Sequence, residues 1–201
     1  MRLLVLDASL SRCLAALTEG ETVLMQRMQE GAHGQAAALP PLVEAVLHGD
    51  IDAIAVGTGP GSFTGLRSAI ALAQGIGLAR GIPVIAVSTG EALVAMSDPA
   101  APAWAVTENR RGDLYLERPG LAAPCVVTEA ALPRPERLTW LVGDGAPRAV
   151  ARLLARGWPA GLGEARRIEA ASLARVALRR LAGTLPPLAL EPLYVEPPAT
   201  T

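Results

Sequence analysis

Residues 57–67 read GTGPGSFTGLR, four glycines and a proline set between the apolar run IDAIAV (51–56) and a long apolar segment beginning near residue 65. A glycine turn leading from a strand into a helix is a common cradle for phosphate. Each phosphate pattern fails here on inspection. The chain has no lysine, so G-x-x-x-x-G-K-[ST] is impossible, and Ser62 stands where G-x-G-x-x-G requires its third glycine. Pro60 lies two residues before Ser62, so the nucleophile elbow G-x-S-x-G fails as well. What remains is a tight strand-to-helix crossing whose glycines let another surface come close, with a backbone-only anion nest as the alternative.

The segment after the loop, LRSAIALAQGIGLA, is apolar almost all round, the pattern of a helix covered on more than one side. Ala69, Ala73 and Gly77 recur every four residues, and so do Ala71, Gly75 and Ala79. Small residues at that period admit a second helix at close range. One face suits a sheet; the other needs a helix such as QAAALPPLVEAVL (35–47) or another subunit.

Working outward, strands are expected over 2–6, 13–18 and 21–28, and then a helix over 35–48 that Pro40 and Pro41 should kink or restart. IDAIAV and GIPVIAVS read as strands, 65–80 and 89–96 as helices. After the loose stretch SDPAAPA, AWAVTEN and DLYLER read as a hairpin, TWLVGDG as a strand, and 146–156 and 171–183 as helices. The halves echo each other, AVGTGPG in the first answering LVGDGAP in the second. Two α/β lobes with mixed sheets follow, divided as 1–100 and 101–201, the tail being free to return to the first lobe.

Composition closes several functional classes. The chain has 201 residues, 51% of them hydrophobic, and a net charge of −1, which describes a globular protein. Without lysine there is no Schiff base and no Ser–Lys dyad. Cys13 and Cys125 form no C-x-x-C, and His33 and His48 form no helix-borne metal pair. Asp7, Glu108, Asp113 and Asp144 are carboxylates at strand ends or turns, and no pattern among them marks a catalytic set. Arg148, Arg152 and Arg156 share a helix face, with Arg166, Arg167, Arg175, Arg179 and Arg180 beyond. The first hundred residues carry 5 arginines against 9 acids and the remainder 13 against 10. That asymmetry is mild, interleaved aromatics are missing, and a solvated face is expected. Asp7 interrupts the apolar start, arguing against a leader, and Arg80 and Pro83 break the stretch 69–87, arguing against a membrane span.

LLVLDASLSRCLAAL, HGQAAALPPLVEAVL, AIAVGTGPGSFTGLRSAIALAQGIGLARGIPVIAVSTGEAL, ENRRGDLYLE and PLYVEPP occur in that order. Together they resemble the bacterial TsaB (YeaZ) family, a subunit of the machinery that makes threonylcarbamoyladenosine in tRNA. The resemblance implies a two-lobed α/β fold of the actin, Hsp70 and sugar-kinase (ribonuclease H-like) superfamily. It implies a cytoplasmic, non-catalytic subunit without cofactor or metal. Such a subunit binds the catalytic paralogue TsaD, which modifies adenosine 37 of tRNAs reading ANN codons. The ATPase TsaE joins that pair, a homodimer forms when the subunit is alone, and tRNA is touched at most indirectly.

By the same resemblance the partner surface uses the two helices of the first lobe, with Leu39, Leu42, Val46, Arg67, Ile70, Ala73 and Gly77. Gly57, Gly59, Pro60, Gly61, Ser62, Thr64 and Gly65 form a structural loop. Two departures from the family pattern stand out: Glu108-Asn109-Arg110-Arg111 where the family often has Asp-Ala-Arg-Arg, and Glu196 where it often has Arg. A metallopeptidase-like protein and an ATP-dependent kinase of the same fold are the rival readings.

Overall fold

A computed structural model describes residues 1–31, 34–109, 112–118, 120 and 122–195. His33, Arg110, Arg111 and Glu196 therefore lie outside the described residues. The chain opens as an antiparallel meander, β1 (Arg2–Asp7), β2 (Arg12–Glu19) and β3 (Thr22–Glu30). Then come α1 (Gln35–Val46), β4 (Ala53–Gly59), α2 (Phe63–Arg80) and β5 (Val84–Ser88), with β4 parallel to both β1 and β5. The sheet order is β3-β2-β1-β4-β5.

The pattern repeats. β6 (Ala103–Glu108), β7 (Leu114–Arg118) and β8 (Ala122–Val127) form a second meander, followed by β9 (Thr139–Val142), α4 (Ala146–Leu154) and β10 (Ala160–Leu162). Their order, β10-β9-β6-β7-β8, is that of the first sheet read from the other end. The echo between the halves is thus a repeated topology, two mixed five-stranded sheets. β8 and β10 are additions to the elements expected from sequence: β8 contains Pro124, and β10 is three residues long.

Contacts divide the chain into two units. The first comprises Met1–Thr89 with Glu169–Leu193; the second comprises Gly90–Ile168 and resumes at Tyr194. Each takes a helix from across the boundary. α5 (Ala170–Leu181) follows β10 yet packs on β1, β2, β4 and β5. α3 (Thr89–Val94) follows β5, but from Gly90 onward it belongs to the second unit, where the Gly90 N–H donates to the buried Glu117 carboxylate at 2.8 Å.

β1 shows what the two coverings accomplish. Leu3, Leu4, Val5 and Leu6 are all fully buried, as expected of a central strand with both faces covered. Leu4 and Leu6 join Leu39, Val43, Val46, Ala69, Ile70 and Ala73 in the core beneath α1 and α2. Leu3 and Val5 alternate to the α5 side. There the Arg12 guanidinium meets Glu169, the residue that caps α5, at 3.1 Å.

Pro40 and Pro41 do not interrupt α1, which runs unbroken for 12 residues. Both are exposed, as are Ala36 and Ala37, whose carbonyls lose helix donors and are left to solvent. α2 is capped by the Ser62 hydroxyl, which accepts from Gly65 N, and ends at Gly81 in the left-handed region. It buries Leu66, Ala69, Ile70, Ala73 and Gly77. No helix among the described residues is long and apolar enough to cross a membrane.

Gly77 fixes how closely α2 lies on the sheet. A Cβ there would stand 2.6 Å from a Val84 methyl and 3.1 Å from the Ile82 carbonyl oxygen. Gly77→Leu is therefore expected to lower unfolding free energy by about 1–3 kcal/mol through overpacking, measured by urea denaturation. An unchanged midpoint would mean that the helix can lift without loss.

Candidate functional site

The residues at the carboxyl end of β1 and β4 are set by close backbone approach. Gly57 lies against the Asp7 carboxylate, and any side chain at Gly57 would overlap Asp7 Oδ1. Gly61 lies against the turn between β1 and β2, where a Cβ would overlap the Ser9 carbonyl oxygen. The same oxygen accepts the Ser62 N–H at 2.6 Å. Thr89 Oγ1 donates to the Pro60 carbonyl at 2.9 Å, and Thr58 Oγ1 to that of Val87 at 3.2 Å. The Leu193 N–H donates to the Thr58 carbonyl at 2.8 Å.

The start of α2 is engaged from within the unit at three of its N–H groups. Ser62 N is engaged by Ser9 O, Gly65 N by the Ser62 hydroxyl and Leu66 N by Ser62 O. A phosphate nest needs convergent N–H groups that the chain has not already used. The loop packs atom against atom on the β1–β2 turn, and Thr64, the second residue of α2, is exposed beside it.

Asp7 is 2% exposed and accepts the Ser9 N–H at 3.3 Å. Burial pushes its carboxyl up to about 6, against smaller opposing effects of hydrogen bonding from Ser9 and the charge of Arg12. Neighbouring Cys13 is pushed up to about 11, first by burial and then by Asp7.

The other carboxylates belong to the second unit. The Glu108 N–H donates to Asp144 Oδ1 at 3.0 Å, and Asp144 is raised by burial, against the lowering effect of that hydrogen bond and with a smaller rise from the Glu108 charge. Asp113 closes a hairpin turn with Asn109 instead. Among the described residues no group of three or more His, Cys, Asp and Glu is placed to hold a metal.

Five arginines of the second-half series make contacts within the fold. Arg148 is held by Glu108 at 3.1 Å, Glu129 at 2.5 Å and the Gly112 carbonyl. Arg156 donates to the Ala130 carbonyl and lies over the Trp158 ring, and Arg166 donates to the Gly163 and Ala165 carbonyls. On α5, Arg175 pairs with Glu21, while Arg180 donates to the Ala86 and Pro186 carbonyls. These contacts divide the arginine series among separate local jobs.

The helix pair of the first unit has a buried and an outer side. Leu39, Val46, Ile70, Ala73 and Gly77 face the unit's own core, and Leu42 is half-buried. Arg67 lies outside, in a stripe that runs Phe63, Arg67, Ala71, Gly75, Ala79 at four-residue steps with Leu78 beside it. Leu78 is 88% exposed and Phe63 48%. A Cβ on Gly75 would meet no atom within 4 Å, so nothing in this chain requires glycine there. An exposed mid-helix glycine costs about 1 kcal/mol relative to alanine. Phe63 and Leu78 were missed by composition-based reading, although their spacing from Arg67 and Gly75 places them on the same face.

Comparison with known proteins bears on this helix pair. The family model for TsaD, tRNA N6-adenosine threonylcarbamoyltransferase, matches residues 33–123, which include α1 and α2. The tRNA threonylcarbamoyladenosine biosynthesis protein TsaB of Escherichia coli is 38% identical over 96 residues, 44% of this chain and 41% of that protein. The TsaB of Haemophilus influenzae is 34% identical over 107 residues, 50% of this chain and 43% of that one. The matched stretches thus span less than half the length of these relatives. The solved structure of YeaZ from Pseudomonas aeruginosa superimposes with a TM-score of 0.72 at 24% identity, covering 96% of this chain and 99% of that one.

The chain resembles TsaB in sequence over about half its length and shares the YeaZ fold over nearly all of it. The two mixed sheets are the α/β architecture that the sequence resemblance implied. The glycine loop holds α2 against the β1–β2 turn, and the outer stripe of α2 is exposed.

Asp7 gives the junction a pH signature. Its folded-state value, about 6, lies above its ordinary 3.8, so the folded chain holds the proton more tightly than the unfolded chain. Its contribution is most favourable below about pH 4 and is lost as the pH rises toward about 6, by roughly 2–3 kcal/mol at about 1.4 kcal/mol per unit. Asp7→Asn should flatten that slope and melt above wild type at neutral pH, the gap narrowing in acid. Thermal melts across this range check it; parallel slopes would place the buried charge elsewhere.

Proposed function

We propose that this chain is the non-catalytic, TsaB-like subunit of the machinery that places threonylcarbamoyl on adenosine 37 of tRNA, and that it docks the catalytic subunit TsaD through α1 and the outer stripe of α2. The observation that carries the reading is the stripe itself: Arg67, Ala71, Gly75, Leu78 and Ala79 are exposed on a long apolar helix whose other side already fills a core. Small residues on such a face permit close helix approach. Gly75, which no neighbour in the chain demands, then has a use.

Two further observations support it. The TsaB relatives are tRNA threonylcarbamoyladenosine biosynthesis proteins, and the TsaD family model covers both helices of the docking pair. A partner built on the same helix pair would present a comparable face. In this reading Leu39, Val46, Ile70, Ala73 and Gly77 support the interface from beneath, and Arg67 and Leu42 reach toward it. The glycine loop from Gly57 to Gly65 sets the helix direction. The protein works in the cytoplasm, self-associates through the same face when alone, is joined by TsaE, and makes at most indirect contact with tRNA.

Co-expression with TsaD from the same source, followed by size-exclusion chromatography with light scattering, tests the reading. A 1:1 heterodimer is expected, and a chain that ignores TsaD would overturn it. Gly75→Leu and Leu78→Asp should weaken the association at least tenfold while leaving the melting temperature unchanged or raised. The Gly77→Leu variant should instead lose stability, since it faces inward. Full binding by both outer variants would move the interface to another surface.

A further inference from the structure

Pro40 and Pro41 lie in the middle of α1, and the helix runs through both. A proline has no N–H to give. The Ala36 carbonyl therefore lacks its donor at the fourth residue on, and the Ala37 carbonyl lacks donors at both the third and the fourth. Ala36, Ala37, Pro40 and Pro41 are all exposed, while Leu39, Val43 and Val46 fill the core on the other side of the helix. The outer face of α1 thus offers backbone acceptors at a position where an ordinary helix has already paired them.

One acid shares that face. Glu44 is the only charged residue of α1, two turns after Ala37 on the same side. It is exposed, and no hydrogen bond or ion pair among the described residues engages it. Side chains on a helix lean toward its amino end, so a side chain at 44 has the turn of Pro40 and Pro41 within its reach. Glu44 also stands near the carboxyl end of α1, where the helix dipole disfavours an anion, and no basic residue in the last turn offsets it. The two carbonyls and the carboxylate make an acceptor-only, electronegative patch. It adjoins α2, which packs beside α1 over the same core.

Covering such a patch with an apolar surface would strand its acceptors away from water, a cost that donors on the partner remove. We infer that the outer face of α1 receives a basic side chain of TsaD, whose N–H donors serve the Ala36 and Ala37 carbonyls and pair with Glu44. This rests on the docking proposal above and adds the chemistry of the partner's side. The small-residue stripe of α2 permits close approach, and the acceptor patch of α1 selects a surface that brings a cation to that place. The tandem proline, unfavourable inside a helix, then has a use: it holds two carbonyls open.

The test measures affinity for TsaD by calorimetry at low and high salt, with thermal melts of each variant alone. The double variant Pro40→Ala/Pro41→Ala restores both N–H groups, and the helix takes its carbonyls back. It is expected to melt above wild type and yet bind TsaD at least tenfold more weakly. Pro40→Val/Pro41→Val, which keeps apolar bulk, should lose affinity alike. Glu44→Gln should bind several-fold more weakly and flatten the salt dependence. The inference is overturned if the double alanine variant binds as wild type, or if the losses follow lowered melting temperatures. Full binding by the valine variant would assign the loss to the proline rings and overturn it too, as would an unchanged affinity and salt slope in Glu44→Gln. Effects confined to self-association would give the patch to a second copy and overturn it equally. Absence of wild-type binding would refute the docking proposal and this contact together; normal binding that is indifferent to these variants would refute the contact alone.

Discussion

Ser9 and Gly61 touch through their backbones, and the Ser62 N–H donates to the Ser9 carbonyl at the same point. No side chain fits there, so the loop must carry glycine at 61, just as it must at 57 beside Asp7. The contact ties the exit of β4 to the turn after β1, neighbours in the sheet, and so fixes the position from which α2 departs. From that start the helix lays Ala69, Ala73 and Gly77 on the sheet and turns Ala71, Gly75 and Ala79 outward. At this point the glycine-rich loop works as a joint, its Ser62 N–H drawn onto the Ser9 carbonyl.

Much of this was legible in the sequence because it depends on local pattern. β1, β4 and β5 are continuous apolar runs, and α2 has both small-residue faces written into its spacing. Which of those faces looks inward was not legible, because both satisfy the same period and only the neighbour decides. Val84 and Ile82, close in sequence to Gly77 but brought onto it by the turn at Gly81, make the choice. Pro40 and Pro41 misled for a related reason. The cost of a proline inside a helix depends on whether the freed carbonyls find water, and here they lie on the exposed side.

β8 and β10 escaped a reading by propensity: one carries a proline at a sheet edge and the other is too short for any alternation to register. The arginines escaped in a different way. Arg148, Arg156 and Arg180 look like a basic series in one dimension, but their partners are Glu108 and Glu129, the Ala130 carbonyl, and the Ala86 and Pro186 carbonyls. Apart from Pro186, those partners stand 19 to 94 positions away along the chain, a separation that window-based inspection does not reach.

The exchange of helices between the two units has a temporal meaning as well as a spatial one. A nascent chain emerges from its amino end, so the first sheet exists as a complete set of strands once Ser88 is made. The helix that covers Leu3 and Val5 does not begin until Ala170. For the time needed to synthesise the whole second sheet, the first therefore has one naked apolar face. The first unit therefore cannot complete its core until α5 has been made, after every strand of the second sheet.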